Sequence, residues 1–406
     1  MSAVSEAIAL SARVRRIKPS PSMVARDRAR QLQAQGRDII DLTAGEPDFD
    51  TPKHIGAAVV AAIEAGETRY TPVNGTPALR KAIIAKLERE NGVRYELNQI
   101  SVGSGAKQVI YNALAATIGA GDEVVIPAPY WVSYPDMVLA CDGTPVVVAC
   151  GENAGFKLSA EALAQAITPR TRWVMLNSPC NPTGAFYSEA EMRALTDVLV
   201  RYPHVALMTD DIYEHIRFDD GKPVCPVLIE PRLAGRTLLV NGVSKTYAMT
   251  GFRIGYGAGP QALIAAMNTI QSQSTSCVSS ISQAAATAAL NGDQSFVADS
   301  RAAYRARRDR AVELLNAIPG LSCRAPDGAF YVYPSCAGLI GKATPEGKVL
   351  GSDFEIVMYF LDTAGVAMVD GTAYGLSPYL RLSIATSLGS IEEACARLAK
   401  ACAVLR

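Results

Sequence analysis

Histidine is scarce in this chain, with three in 406 residues, at positions 54, 204 and 215. Spread so thinly they suggest neither a metal site nor a serine–histidine triad, and no metal is expected. Nine cysteines are present, but none forms a Cys-x-x-Cys pair and no Cys/His group has zinc spacing. An odd count without pairing rhythm fits reduced thiols in the cytoplasm. Net charge is absent as well, since Lys+Arg and Asp+Glu both number 39. Nothing in that balance calls for a nucleic-acid or anionic-membrane partner. No apolar run reaches membrane-spanning length, and the first ten residues carry Glu6 and no basic region before a long apolar core, so no secretory signal is expected. Internal repeats, low-complexity tracts and long linkers are missing too. What remains is ordinary globular composition, 49% hydrophobic and 19% charged, in a chain long enough to bury a large core in about two or three domains.

From about residue 100, short apolar runs alternate with helical segments. The runs are 99–102, 123–126, 145–149, 173–176, 205–208, 237–240 and 253–257; helices are expected at 105–118, 131–140, 159–167 and 188–201. This alternation predicts an α/β fold with a mostly parallel, seven-stranded sheet flanked by helices. Before it, 21–35 reads as a helix that stops at Gly36, and Thr51-Pro52 opens another that ends near Gly66. Residues 260–318 read as largely helical until Pro319-Gly320. The remainder alternates strands (329–333, 366–369, 379–384) with helices (353–362, 390–405), a smaller α/β domain. The expected organisation is 1–47 as an N-terminal arm and helix joining the small domain, 48–290 as the large domain, and 291–406 as the small domain. The basic stretch Ser11 to Ser22, stiffened by Pro19 and Pro21, reads as a solvated arm that carries Lys18.

In parallel sheets of this kind ligands sit outside the carboxyl ends of the strands, and the chemically informative residues fall there. The central stretch is Val243 to Tyr256, which follows the apolar run 237–240. Lys245 lies at the exit of that run. It is either a loop lysine at the surface or an amine in an apolar pocket, with a lowered pKa and the ability to form a Schiff base with a carbonyl. Ser244 and Arg253 can supply hydroxyl and guanidinium donors to a phosphate. A Schiff-base lysine beside a phosphate clamp suggests pyridoxal 5′-phosphate (PLP). Gly103-Ser104-Gly105-Ala106-Lys107-Gln108 lies between a strand and a helix. It can present the Gly105, Ala106 and Lys107 amides to a phosphate, or be a plain strand-to-helix turn. Gln108 stands where a dinucleotide fingerprint needs its third glycine.

Asp210 ends an apolar run, where a carboxylate is costly without a charged partner. A pyridinium nitrogen is such a partner, and helix capping is the alternative. Tyr213, three residues on, can reach the ring oxygen, as can Asn181 from the tight Asn177–Gly184 loop. Trp131 either stacks on the ring or is a core aromatic. Arg381 interrupts an apolar strand and needs an anion, either a substrate carboxylate or an internal partner. Gly45 permits close backbone approach to a ligand. The turn-rich Arg69–Gly75 loop, with Tyr70, either covers a pocket or reaches a second subunit.

Taken in order, TAGEPD, RYTPVNG, PYWVSYP, NSPCNPTG, DDIYEH, SKTYAMTGFRIGY and RLSIATS resemble the class I, fold-type I PLP-dependent aminotransferases, and most of all the bacterial aspartate aminotransferases of the Iβ subgroup. The resemblance runs from about Arg13 to the C-terminus. It implies that Lys245 is the Schiff-base lysine and proton shuttle and Asp210 the pyridine-nitrogen partner. It places Asn181 and Tyr213 on the ring oxygen and Trp131 on the ring face. Gly105, Ala106, Lys107, Ser244 and Arg253 fall in the phosphate cup, with Tyr70 donated by the other subunit of a homodimer. Arg381 becomes the α-carboxylate clamp, flanked by Gly45 and Asn181. The implied reaction moves an amino group between L-aspartate and 2-oxoglutarate, with small amino and keto acids as substrates and no nucleic acid or membrane as partner. Other subgroups bind the distal carboxylate with a partner-subunit arginine, for which this chain has no clear counterpart. Lys18, Lys107 and Gln273–Ser276 are the candidates left, and the Lys18 context accompanies additional prephenate activity in the Iβ subgroup. The alternatives are aromatic or alanine specificity, or a PLP lyase on the same fold. A DNA-binding regulator would need an appended domain, and a nicotinamide dehydrogenase lacks its glycine fingerprint here.

Overall fold

The computed structural model describes residues 8, 10–17 and 21–406 except 222, with the backbone alone for 21–26. Strand β1 (Ile40–Asp41) stands apart from the main sheet. That sheet comprises β2 (Ile100–Gly103), β3 (Glu123–Ala128), β4 (Thr144–Ala149), β5 (Thr171–Asn177), β6 (Ala206–Asp210), β7 (Thr237–Gly242) and β8 (Gly255–Ala258), in the spatial order β2-β8-β7-β6-β5-β3-β4. Every pairing is parallel except the two made by β8. The seven apolar runs of the sequence are thus the seven strands of one sheet.

Both faces of this sheet are covered, which is why its strands read as continuous apolar runs rather than alternating ones. Val124, Ile126, Trp173, Met175, Leu238 and Val240 pack against the helices Ala106–Thr117, Ser133–Ala140 and Gln261–Ser272. Val125, Val174 and Leu176 point the other way, to Ala160–Ala166 and Glu189–Val200. The helix 189–200 starts on a reciprocal cap between Ser188 and Glu191. β4 is the half-exposed edge strand, which is where Pro145 is tolerated.

The smaller unit holds β9 (Tyr331–Val332), β10 (Val366–Ala367), β11 (Val369–Asp370) and β12 (Leu380–Ser383). β1 pairs with β10 in parallel, and β11-β12-β9 form an antiparallel sheet. The single strand expected over 366–369 is therefore two. Met368, fully buried, marks the point where the chain leaves the pairing with β1 for the pairing with β12. The helices Ser295–Asn316, Asp353–Tyr359 and Leu388–Ala403 enclose this sheet in a core that also takes in Leu42, Ile212 and Ile216.

The described residues 10–16 of the N-terminal arm are exposed, as a solvated segment should be, but they are not without structure. Ala12–Arg16 is a short helix capped by Ser11, and both Arg13 and Arg16 pair with Asp142, which follows the helix 133–140. Lys18 lies outside the described residues. All nine cysteines are free thiols; eight are buried and Cys277 is half-buried.

Gly255 on β8 decides how close the sheet comes to the turn after β2. A Cβ on it would lie 2.1 Å from the Ala106 amide nitrogen and 2.4 Å from the Gly105 carbonyl carbon. Both are backbone atoms and cannot rotate away. Gly255→Ala should destabilise the protein by about 1–3 kcal/mol and weaken PLP binding, read by urea denaturation and by titration of the apoprotein. An unchanged urea midpoint would contradict this packing.

Candidate active site

The carboxyl ends of β2, β3, β5, β6 and β7 open on one cavity of about 350 Å³, which β1, β9 and β12 close from the smaller unit. Of the sequence-predicted residues, it brings together Gly45, Gly105, Ala106, Lys107, Trp131 and Asn181 with Asp210, Tyr213, Ser244, Lys245, Arg253 and Arg381.

Asp210 is the last residue of β6 and only 5% exposed. It caps no helix. Its Oδ2 accepts a 2.6 Å hydrogen bond from the Tyr134 hydroxyl, while Oδ1 is buried with no hydrogen-bond partner among the described residues. Burial raises its pKa to about 6, against the pull of Tyr134, the Ile212 amide and Lys245. Lys245 is half-buried, but the surface it leaves open is cavity wall, and its amine donates to the Gly45 carbonyl. Burial lowers its pKa to about 8; Glu46 and Asp210 oppose the shift and Arg253 and Arg381 add to it.

At the other end of the cavity Gly105, with φ +82°, starts the helix 106–117. A Cβ there would lie 2.5 Å from Arg253 Nη2, so glycine is what lets the guanidinium approach. Arg253 is not the first residue of a strand, as its sequence context suggested. It has φ +56° after the turn Thr250–Phe252 and donates to the Thr250 carbonyl at 2.9 Å. That left-handed step turns its side chain back over the turn after β2. Lys107 lies over the Trp131 ring, 4.7 Å from its centroid, and burial and then Arg253 lower its pKa.

Arg381, on β12, is 4% exposed and makes no ion pair among the described residues. Its Nη2 donates to the Thr43 carbonyl at 2.6 Å and Nη1 to Asn181 Oδ1 at 3.2 Å; Nε has no partner. The Tyr331 and Tyr374 rings lie 4.6 and 5.2 Å from its guanidinium. The Tyr213 hydroxyl is 2.9 Å from that of Tyr331. A cavity with an unmet buried carboxylate oxygen, a lysine of lowered pKa and, opposite them, helix-terminal amides beside an arginine fits PLP, with its pyridinium nitrogen, aldehyde and phosphate.

Two candidates stand elsewhere, and a third falls on an undescribed residue. Tyr70 is 93% exposed and lines a separate groove with Pro77 and Ser280. Gln273–Ser276 follows the helix 261–272 without lining the cavity, and Lys18 is outside the described residues. The sequence reading overlooked Tyr134, Tyr331, Asn177 and Thr43. Tyr134 stands one helical turn after Trp131 and carried that signal; Tyr331 has no local one, because only tertiary packing brings β9 to the cavity.

The family model for aminotransferases of class I and II matches residues 37–398. The chain belongs to that family. The aspartate/prephenate aminotransferase of Cereibacter sphaeroides is 55% identical over 98% of this chain and 99% of its own. The crystal structure of the Rhizobium meliloti aspartate aminotransferase superposes with a TM-score of 0.97 at 52% identity, over 98% of this chain and 100% of that one. The Thermus thermophilus aspartate aminotransferase with maleate gives 0.91 at 39% identity, covering 97% and 100%. This aminotransferase is thus a PLP-dependent transaminase of fold type I, acting on amino and keto acids. No helix among its described residues is long and apolar enough to cross a membrane.

With Lys245 taken as the amine that joins PLP, reconstitution of the apoenzyme needs it uncharged. A pKa lowered to about 8 means the reactive form grows as pH rises through about 8. On the acid side Asp210 takes up a proton below about 6 and loses the charge with which it would hold a ring nitrogen. The PLP association rate should therefore climb with pH around a midpoint near 8, and affinity should fall below about 6, followed by absorbance. A rate midpoint in the ordinary lysine range would contradict this environment.

Proposed function

We propose that the enzyme transfers the amino group of L-aspartate to 2-oxoglutarate, giving oxaloacetate and L-glutamate with ping-pong kinetics. The single observation that carries the reading is Arg381. It is a buried guanidinium with no carboxylate partner among the described residues, aimed into the cavity that holds Lys245 and Asp210. Such an arginine suits a substrate α-carboxylate held in bidentate fashion. The names of the relatives and the maleate bound to one of them support a four-carbon dicarboxylate.

PLP, when bound, supplies an aldehyde that takes the amino group and a ring that accepts electron density from Cα. The Asp210 carboxylate keeps the ring nitrogen protonated, and Tyr134 orients that carboxylate. The Lys245 amine removes the α-proton and returns it on the other side of the transfer. Ser244, Arg253 and the amides of Gly105, Ala106 and Lys107 hold the phosphate, Trp131 covers the ring, and Asn181 and Tyr213 face its oxygen. Arg381, beside Gly45 and Asn181, would hold the substrate's α-carboxylate and so orient it in the cavity. Lys18 and Lys107 are our candidates for the distal carboxylate, and prephenate is an additional acceptor in this reading.

We take 1–47 with 291–406 as the small domain and 48–290 as the large one. The packing of Ala29 and Leu32 with Leu361 and Ala367 supports joining the two ends of the chain. The exposed Tyr70 groove fits a homodimer in which each subunit lends Tyr70 to the other's phosphate, and the free thiols fit the cytoplasm.

Lys245→Ala should lower kcat by about 10²- to 10⁴-fold or more. Arg381→Lys should raise the KM for aspartate by about 10- to 100-fold. The decisive experiment is kcat/KM across aspartate, glutamate, tyrosine and prephenate for wild type, Lys18→Ala and Lys107→Ala. Preference for tyrosine over aspartate would overturn the specificity proposed. In sedimentation the holoenzyme should run as a dimer, and Tyr70→Phe should weaken PLP binding; a monomer with full activity would refute the shared site.

A further inference from the structure

Behind the cavity lies a second group of charged side chains to which the reaction assigns no task. Lys86, at the end of the helix Pro77–Lys86, is fully buried. Its amine bonds Glu214 and, at 2.8 Å, Asn91 Oδ1, and stands 3.5 Å from Glu90 Oε2. Glu214, itself buried, accepts from Asn241 Nδ2 at 2.6 Å and Asn91 Nδ2 at 3.0 Å. His215 bridges Glu90 Oε2 at 2.8 Å and Thr246 Oγ1 at 3.1 Å. Glu90, Glu214 and His215 lie close enough together to hold a metal ion, but the Lys86 ammonium already serves two of them as the cation.

The positions of these residues in the chain give the cluster its meaning. Glu214 and His215 directly follow Tyr213 in the turn 212–215, just after Asp210 at the end of β6. Asn241 lies on β7, and Thr246 directly follows Lys245. Two hydrogen bonds, Asn241 to Glu214 and His215 to Thr246, therefore join the segment carrying Asp210 to the segment carrying Lys245. Lys86 and Glu90 tie the first of these segments to a third, the π-helical turn Leu87–Asn91 that follows the helix 77–86. Such turns recur at functional sites. Stability is a poor explanation for the arrangement. Desolvating an ammonium and a carboxylate is costly, and apolar residues of similar volume often do as well or better. A fully bonded ionic network instead fixes geometry, because each member accepts only a narrow range of distances. Burial works against ionisation of Glu214, yet Lys86 and then His215 hold its pKa below the usual carboxylate range, so the charge persists at neutral pH.

We propose that Lys86, Glu214, Glu90, His215 and Thr246 are positioning residues that set Asp210 and Lys245 against each other across the cofactor, and thereby determine PLP affinity. This rests on the reading of Asp210 and Lys245 as the two groups that grip PLP. Thr246→Val keeps the shape of the side chain and removes the hydroxyl; His215→Leu removes the other half of the same bond. Each apoenzyme should bind PLP about tenfold more weakly, and the double variant no more weakly than the weaker single one. The pH midpoint of the holoenzyme absorbance should move, while the KM for the amino acid stays within about twofold. Lys86→Met alone leaves Glu214 charged and unpaired and can fail to fold. The pair Lys86→Met with Glu214→Met avoids that, and should stay folded with the same loss of PLP affinity. Folded variants that bind PLP as wild type does, with an unmoved absorbance midpoint, would overturn the proposal, as would additive losses in the cycle. Wild-type protein that fails to bind PLP would instead sink the underlying reading, and this proposal with it.

Discussion

A carboxylate at the end of a parallel strand, with one oxygen bonded and the other without a partner, is the constraint on which the site depends. Asp210 is held there by β6, which is flanked on both sides by buried strands and cannot move without moving the sheet. The Tyr134 hydroxyl satisfies one oxygen and fixes the plane of the group. The remaining oxygen is in a place that water does not reach, so its charge is worth far more to a cationic ring nitrogen than it would be in solvent. The same burial that makes the group effective also raises its pKa, and the balance leaves it ionised at neutral pH.

The rest of the cavity is electropositive. Lys107, Arg253 and Arg381 line it against the single carboxylate of Asp210, with Glu46 acting on Lys245 from nearby. This excess does two things at once. It attracts a phosphate and a carboxylate, the anionic ends of cofactor and substrate. It also adds to burial, the larger cause, in lowering the pKa of Lys245, against the opposing pull of Glu46 and Asp210. Removing either arginine would therefore affect the chemistry as well as binding, which ties specificity and catalysis to one charge distribution.

Much of this was legible in the chain. Strands buried on both faces must be apolar throughout, so the runs between 99 and 257 announced themselves, the half-exposed edge strand β4 included, and the polar residues at their ends stood out against them. Lys245, Asp210 and Arg381 were visible because charge next to apolar sequence is costly and asks for a reason. What was not legible depended on contacts between distant segments. Tyr331 reaches the cavity only because β9 is folded beside β12. The run 366–369 looks uniform, yet it serves two sheets. Arg253 itself takes a left-handed backbone that its residue type does not advertise, and the pairing of Arg13 and Arg16 with Asp142 joins segments far apart in the chain. Tyr134 belongs to a motif that was noted, but its bond to Asp210 depends on how the helix 133–140 docks.

The distribution of the thiols has a practical side. Eight are sealed in the interior, so a bulky maleimide dye has one site of reaction, Cys277, whose sulfur accepts from the Thr71 amide beside Tyr70. The molecule thus carries a native labelling handle in contact with the loop that faces the proposed second subunit. Its accessibility works as a chemical footprint of assembly, without any engineered cysteine.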